Sequence, residues 1–113
     1  ENNDEKNMLS LLYQSLRALL LPSIPNELVR YIFEMKALAV NGEFPGVPKD
    51  ITILSDTRYA IEYVATAGLD KLYTFVVSHE VLNELSQCAG EYRKRFLLKK
   101  FKSLDILEEM IKK

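Results

Sequence analysis

With 113 residues the chain is long enough for one domain and too short for two ordinary ones. It is 48% hydrophobic with a net charge of -1, a composition that allows one continuous core without metal or disulfide. The single cysteine excludes an internal disulfide and argues against a thiolate metal cluster, and no apolar run approaches the roughly 18 to 20 residues that span a bilayer.

The first six residues, Glu1-Asn2-Asn3-Asp4-Glu5-Lys6, are acidic where a secretory signal would be basic, so a cytoplasmic chain is expected. A first helix is predicted from about Glu5 to Leu21, with Met8, Leu9, Leu12, Leu16, Leu19 and Leu20 on its apolar face. Pro22 and Pro25 stop it, since neither can continue the backbone ladder.

The second helix is expected from Ile24 or Asn26 to Val40, with Ser23 as its cap. Leu28, Ile32, Met35 and Ala39 recur at helical spacing, with Val29, Phe33 and Leu38 beside them. Asn41-Gly42 is a stop signal, because glycine tolerates the left-handed geometry of a helix end. Residues 43–54, with Pro45, Gly46 and Pro48, read as an extended linker; Ile51-Thr52-Ile53 could form only a very short strand.

A third helix starts after Ser55 and ends near Ala67-Gly68, with Ala60, Ile61, Val64 and Ala65 inward. Leu69 to Phe75 reads as a short helical turn, and Thr74 to Val77 fits either helix or strand. A fourth helix, capped by Ser78, carries Val81, Leu85, Cys88, Tyr92 and Phe96 on one stripe and is predicted to reach about Lys100. Glu91 and Arg95 are a supportive pair on it, and Gly90 weakens it. Ser103 can cap a last helix through Leu104, Leu107 and Ile111. The expected fold is all-α, one compact bundle of about five helices over residues 1–113.

Enzymatic chemistry finds little support. Glu80 and Glu84 lie at i,i+4 on a polar face, where nothing raises a carboxyl pKa for acid catalysis. His79 and Cys88 would sit about 13 Å apart along one helix, too far to pair. The four glycines are scattered and build no phosphate-cradling loop.

Charge is unevenly placed. Residues 1–90 hold 7 basic and 12 acidic side chains, whereas residues 91–113 hold 8 basic and 4 acidic. The dense part is Arg93, Lys94, Arg95, Lys99, Lys100 and Lys102. Such a cluster is either a solvated face at a helix C-terminus or a contact for nucleic acid or an acidic protein. On the second helix Arg30, beside Val29 and Phe33, either answers Glu27 or Glu34 along the helix or borders a shallow apolar pocket. A pocket of that kind would suit a peptide ending in an aromatic residue and a carboxylate.

Several stretches, in order, resemble the C-terminal domain of the RecO family of bacterial DNA repair proteins. Asn26-Glu27-Leu28-Val29-Arg30-Tyr31-Ile32-Phe33-Glu34-Met35-Lys36-Ala37-Leu38 is similar to the family helix before a Gly-aromatic-Pro turn, here Gly42-Glu43-Phe44-Pro45. Ser55-Asp56-Thr57 leading into Ala60-Ile61-Glu62-Tyr63-Val64 resembles the helix after the family's zinc module, and Leu69-Asp70-Lys71-Leu72-Tyr73-Thr74-Phe75 the short segment that follows. Tyr92 to Phe96 and Phe101-Lys102-Ser103-Leu104 are similar to the closing helix and its Lys-Ser-Leu signature.

The resemblance spans nearly the whole chain and implies a noncatalytic mediator of recombinational repair. Family members carry an N-terminal OB-fold that binds single-stranded DNA. They anneal strands and, with RecR, help load RecA onto DNA covered by single-strand binding protein. The implied role of the helical domain is to hold that protein's acidic tail, which by position points to Arg30, Phe33 and Lys36. The implied alternative is a direct DNA-binding module using the cluster from Arg93 to Lys102.

This sequence departs from the pattern twice. No OB-fold precedes Glu5, so a C-terminal fragment is expected. Where many members carry four zinc-binding cysteines, the ten residues between Phe44 and Ser55 hold none, so the zinc module is absent or excised and no cofactor is expected.

Overall fold

A computed structural model describes residues 2–49, 51–94 and Ile111. Four α-helices and one 3-10 turn are resolved as elements, α1 Asn2–Leu19, α2 Asn26–Val40, α3 Ser55–Thr66, the turn Leu69–Lys71, and α4 His79–Tyr92; residues 93–94 continue α4 with π-helical geometry, and Ile111 is helical. The architecture is a compact all-α bundle. Of the last helix expected after Ser103, Ile111 is described and is helical and packed against the core; the rest of that helix, the extension of the fourth beyond Lys94, Phe96 and the Glu91–Arg95 pair fall outside the described residues.

Helix α2 is the centre of the bundle and touches α1, α3 and α4. The expected stripe is part of a larger surface, since every residue from Ile32 to Leu38 is buried along with Leu28 and Val29. Ala39, placed in the stripe by spacing, is only half-buried at the helix end. Ser23 is not the cap; Pro25 takes that position without a side-chain bond, and its missing N–H costs nothing there. At the other end the Glu43 N–H donates to the Leu38 carbonyl at 2.8 Å and the Gly42 N–H to that of Ala39 at 3.1 Å. These two bonds close a Schellman motif around Gly42, whose φ of 72° lies in the left-handed region.

Helix α1 begins earlier and stops sooner than predicted, and its face is rotated. Leu11, Ser15 and Ala18 form the buried line, with Met8, Leu12, Leu16 and Leu19 packed at its edge. Leu9 and Leu20, expected inside, are 68% and 80% exposed. At 100° per residue Leu9 lies about 160° around the helix from Leu11, and Leu20 falls beyond the last turn. The polar Ser15 could hide the true centre of this face because it has a buried partner. Its hydroxyl lies 2.6 Å from the Tyr73 hydroxyl, which reaches the Val29 carbonyl at 3.4 Å.

Residues 43–49 and 51–54 contain no strand, as the linker reading expects. The linker is tied down at Tyr92, whose hydroxyl donates to the Gly46 carbonyl at 2.8 Å while its ring tilts against Phe44. Helix α3 turns Thr57, Ala60, Ile61 and Val64 inward, and Ala65 is only half-buried. Glu84 is half-buried rather than free on a polar face. Its Oε1 accepts the Leu54 N–H at 2.9 Å and the Thr57 hydroxyl, so α4 supplies the cap of α3.

Ser78 caps α4 as expected, accepting the Val81 N–H at 3.2 Å. Val81, Leu85, Cys88, Ala89 and Tyr92 form its buried face. Thr74 to Val77 forms neither helix nor strand.

Replacing Leu85 with Ala removes a fully buried side chain and should cost about 2–5 kcal/mol, read by urea unfolding. Burial also pushes the Cys88 thiol from its ordinary value of 9.0 up to about 11, with Glu84 and Glu91 adding to the shift, and it pushes the Tyr73 and Tyr92 hydroxyls upward. Each group binds its proton more tightly folded than unfolded, so stability is lost as pH rises, through 9 to 11 for Cys88 and from about 10 upward for the two tyrosines. Unfolding free energy should therefore fall over that range, and Cys88→Ala should reduce the slope.

Candidate functional site

The buried helix α2 carries two ionised residues, and each recruits a neighbour. Glu34 has no exposed side-chain surface. Its Oε2 accepts Arg30 Nε at 3.1 Å from one turn earlier, then Arg93 Nε at 3.1 Å and Nη2 at 2.7 Å from just past the end of α4. Burial raises the Glu34 carboxyl pKa, and the guanidiniums of Arg93 and Arg30 offset that only in part. Both arginine side chains keep 27% exposure, so two oriented cations share one buried anion at the surface.

Lys36 is the second case. It is 8% exposed, and its ammonium donates to the Ala65 carbonyl at 3.1 Å and the Ala67 carbonyl at 2.7 Å. Those oxygens belong to the C-terminal end of α3, where carbonyls lack helical partners and the dipole favours a cation. Burial lowers the Lys36 pKa, as desolvation of an ammonium must.

The three residues expected to meet a partner are thus separated by the fold. Arg30 is half-buried at the surface and paired with Glu34, the along-helix pairing weighed for it. Phe33 is fully buried, and Lys36 is committed to α3. Neither Phe33 nor Lys36 presents a docking surface in this structure. A central helix cannot offer its apolar residues to a partner while three other helices cover them.

Of the basic cluster, Arg93 and Lys94 are described. Lys94 is 78% exposed and only loosely approaches Glu91, at 3.9 Å. Arg95, Lys99, Lys100 and Lys102 lie outside the described residues. The fold joins Arg93 to Arg30 across 63 positions of sequence through a shared carboxylate, a connection that spacing did not reveal. A signal was present in the composition of α2: Glu34 interrupts Ile32-Phe33 and Met35 on a helix with apolar residues around most of its circumference. A carboxylate in that setting requires cations from elsewhere.

Among the described residues no group of three or more His, Cys, Asp or Glu could hold a metal ion, and residues 45–54 offer neither Cys nor His for zinc. No helix among them is long and apolar enough to cross a membrane. No protein-family model, curated protein or solved structure matches the chain.

Removing either buried ion's function should be costly. Lys36→Met keeps the stem but strands the Ala65 and Ala67 carbonyls, with an expected loss of about 1–3 kcal/mol by urea unfolding. Glu34→Ala takes the shared carboxylate away from Arg30 and Arg93 and should cost about 3 kcal/mol, more than either arginine truncation.

Proposed function

We propose that this chain is a noncatalytic docking domain of recombinational DNA repair, of the RecO type and cytoplasmic, that holds an acidic protein tail. The observation supporting it most is the pair of guanidiniums fixed by Glu34 at the surface. Glu34 holds both guanidiniums in place before a ligand arrives. Held guanidiniums lose less rotamer entropy on binding than free ones, which favours recognition of a carboxylate. The basic residues that continue from Arg93 would draw an acidic partner in from a distance.

The partner proposed is the acidic tail of single-strand binding protein, with RecR as a second protein partner. Contact with single-stranded DNA would fall chiefly to an N-terminal OB-fold of the kind that RecO proteins carry. In this reading Arg30 and Arg93 anchor the partner, while Phe33 and Lys36 act only from within, by holding α2 in place.

The test is titration with a labelled acidic peptide that ends in an aromatic residue with a free carboxylate. Saturable binding is expected, weakened about tenfold or more by Arg30→Ala or Arg93→Ala with the helical circular dichroism retained. Arg30→Lys and Arg93→Lys, which keep the charge but lose the fork, should fall between. Unchanged affinity in all four variants would remove the assignment. Absence of peptide binding, together with steeply salt-dependent binding of single-stranded DNA, would favour direct nucleic-acid contact by the cluster from Arg93 to Lys102.

A further inference from the structure

The segment between the 3-10 turn and α4 has the form of a strand without a partner. Exposure alternates along it: Thr74, Val76 and Ser78 face outward, while Phe75 and Val77 lean on the core. That two-residue period is the signature of a strand with one face packed. Its composition suits a strand as well, with β-branched or aromatic residues from Thr74 through Val77. Yet the N–H and C=O groups of Phe75, Val76 and Val77 make no hydrogen bond to any described residue. Val76 is 84% exposed.

A groove runs beside this segment on the α3 side, with a volume of about 360 Å³. Tyr63 and Phe75 meet edge-on at 5.3 Å, and Tyr59 stacks next to Tyr63 at 6.4 Å, so aromatic surface forms the groove floor. Tyr63 is held from below by its hydroxyl, which donates to the Lys71 carbonyl at 3.0 Å. Tyr59 is 70% exposed and has room to cover a ligand. Among the described residues lining the groove, Asp56 is the one charged side chain.

We infer that Phe75–Val77 is a docking edge for an extended, cationic segment of a partner protein, which adds as a strand along the groove between this edge and α3. The backbone without partners among the described residues suits an occupant that is itself extended polypeptide, because another backbone supplies donors and acceptors at matching spacing. The aromatic floor accepts apolar side chains at alternate positions of that strand. Asp56 selects a Lys or Arg at the position above it. This surface is independent of the Arg30–Arg93 corner and takes the opposite charge, so either assignment can fail alone.

The probe is the peptide Lys-Val-Thr-Val-Thr-Val-amide carrying fluorescein on its N-terminus through a Gly-Gly spacer, measured by fluorescence anisotropy against the whole chain. Saturable binding is expected below about 1 mM, with at least a fivefold loss when Glu replaces the peptide's Lys. Asp56→Asn should erase that preference. Val76→Pro removes one N–H at an exposed extended position and should weaken binding about tenfold, if Val76 points its N–H into the groove. Backbone methylation of the peptide settles the geometry in either case. An extended strand presents alternate amides to each edge, so methylating one alternate set should abolish binding and methylating the other should be tolerated. Tyr59→Ala, at an exposed position, provides a second weakened variant should Val76→Pro fail to fold.

Absence of saturable binding overturns the inference, as does equal tolerance or equal loss for the two methylated sets. Sedimentation showing that the chain dimerises through this segment, with the dimer lost in Val76→Pro, would replace the partner strand by a second copy and would equally overturn it.

Discussion

Helix α2 is enclosed by three other helices and still carries a carboxylate and an ammonium into that enclosure. Apolar packing alone could hold four amphipathic helices together in several rotations and offsets, since burial rewards area with little regard for direction. Charged groups are less tolerant. The Glu34 carboxylate must meet cations and the Lys36 ammonium must meet acceptors, or each incurs a desolvation cost of several kcal/mol. Glu34 is met by Arg93 at the end of α4, and Lys36 by carbonyls at the end of α3. The positions of both helices along α2 are therefore set by hydrogen bonds as well as by packing. Glu84 adds a third tie, joining α4 to the start of α3. These ties are directional, and together they favour one arrangement over near alternatives.

This division between packing and polar ties explains what could be read from the residues. Helices α2, α3 and α4 follow from spacing, because Leu28, Ile32, Ile61, Val64, Val81 and Leu85 recur at three- and four-residue intervals and all are buried. Ser78 and Gly42 were legible for a local reason, as a cap depends on a few neighbouring residues. The face of α1 was misread because Ser15 scores as polar, although Tyr73, 58 positions away, satisfies it. Leu9 and Leu20 were counted as core for the converse reason: a leucine's identity does not say whether anything covers it.

The candidate site was harder still. Arg30 and Glu34 are visible as neighbours on one helix, but Arg93 joins them only through the fold. Phe33 and Lys36 were assigned to a partner by position in the resembled family helix, which does not say how many neighbours cover that helix here. In the structure α2 has almost no free face, and a lysine that looks like a surface charge in sequence serves as a helix cap. A central helix can be recognised in retrospect by the unbroken burial from Ile32 to Leu38, a pattern closer to a core helix than to a surface one.

The two exposed features differ in how they could recognise a ligand. At the Arg30–Arg93 corner the protein side is rigid and charged, so specificity there would rest on matching a fixed fork with a planar anion. Lys94 nearby is mostly in water and only loosely paired at 3.9 Å, so solvent and salt screening leave it little binding energy of its own. Along Phe75–Val77 the recognising groups are backbone, which reads conformation first and side chains second. A partner suited to the first surface, an acidic tail ending in a carboxylate, would be repelled by Asp56 at the second. The charge at each surface thus argues against one ligand serving both.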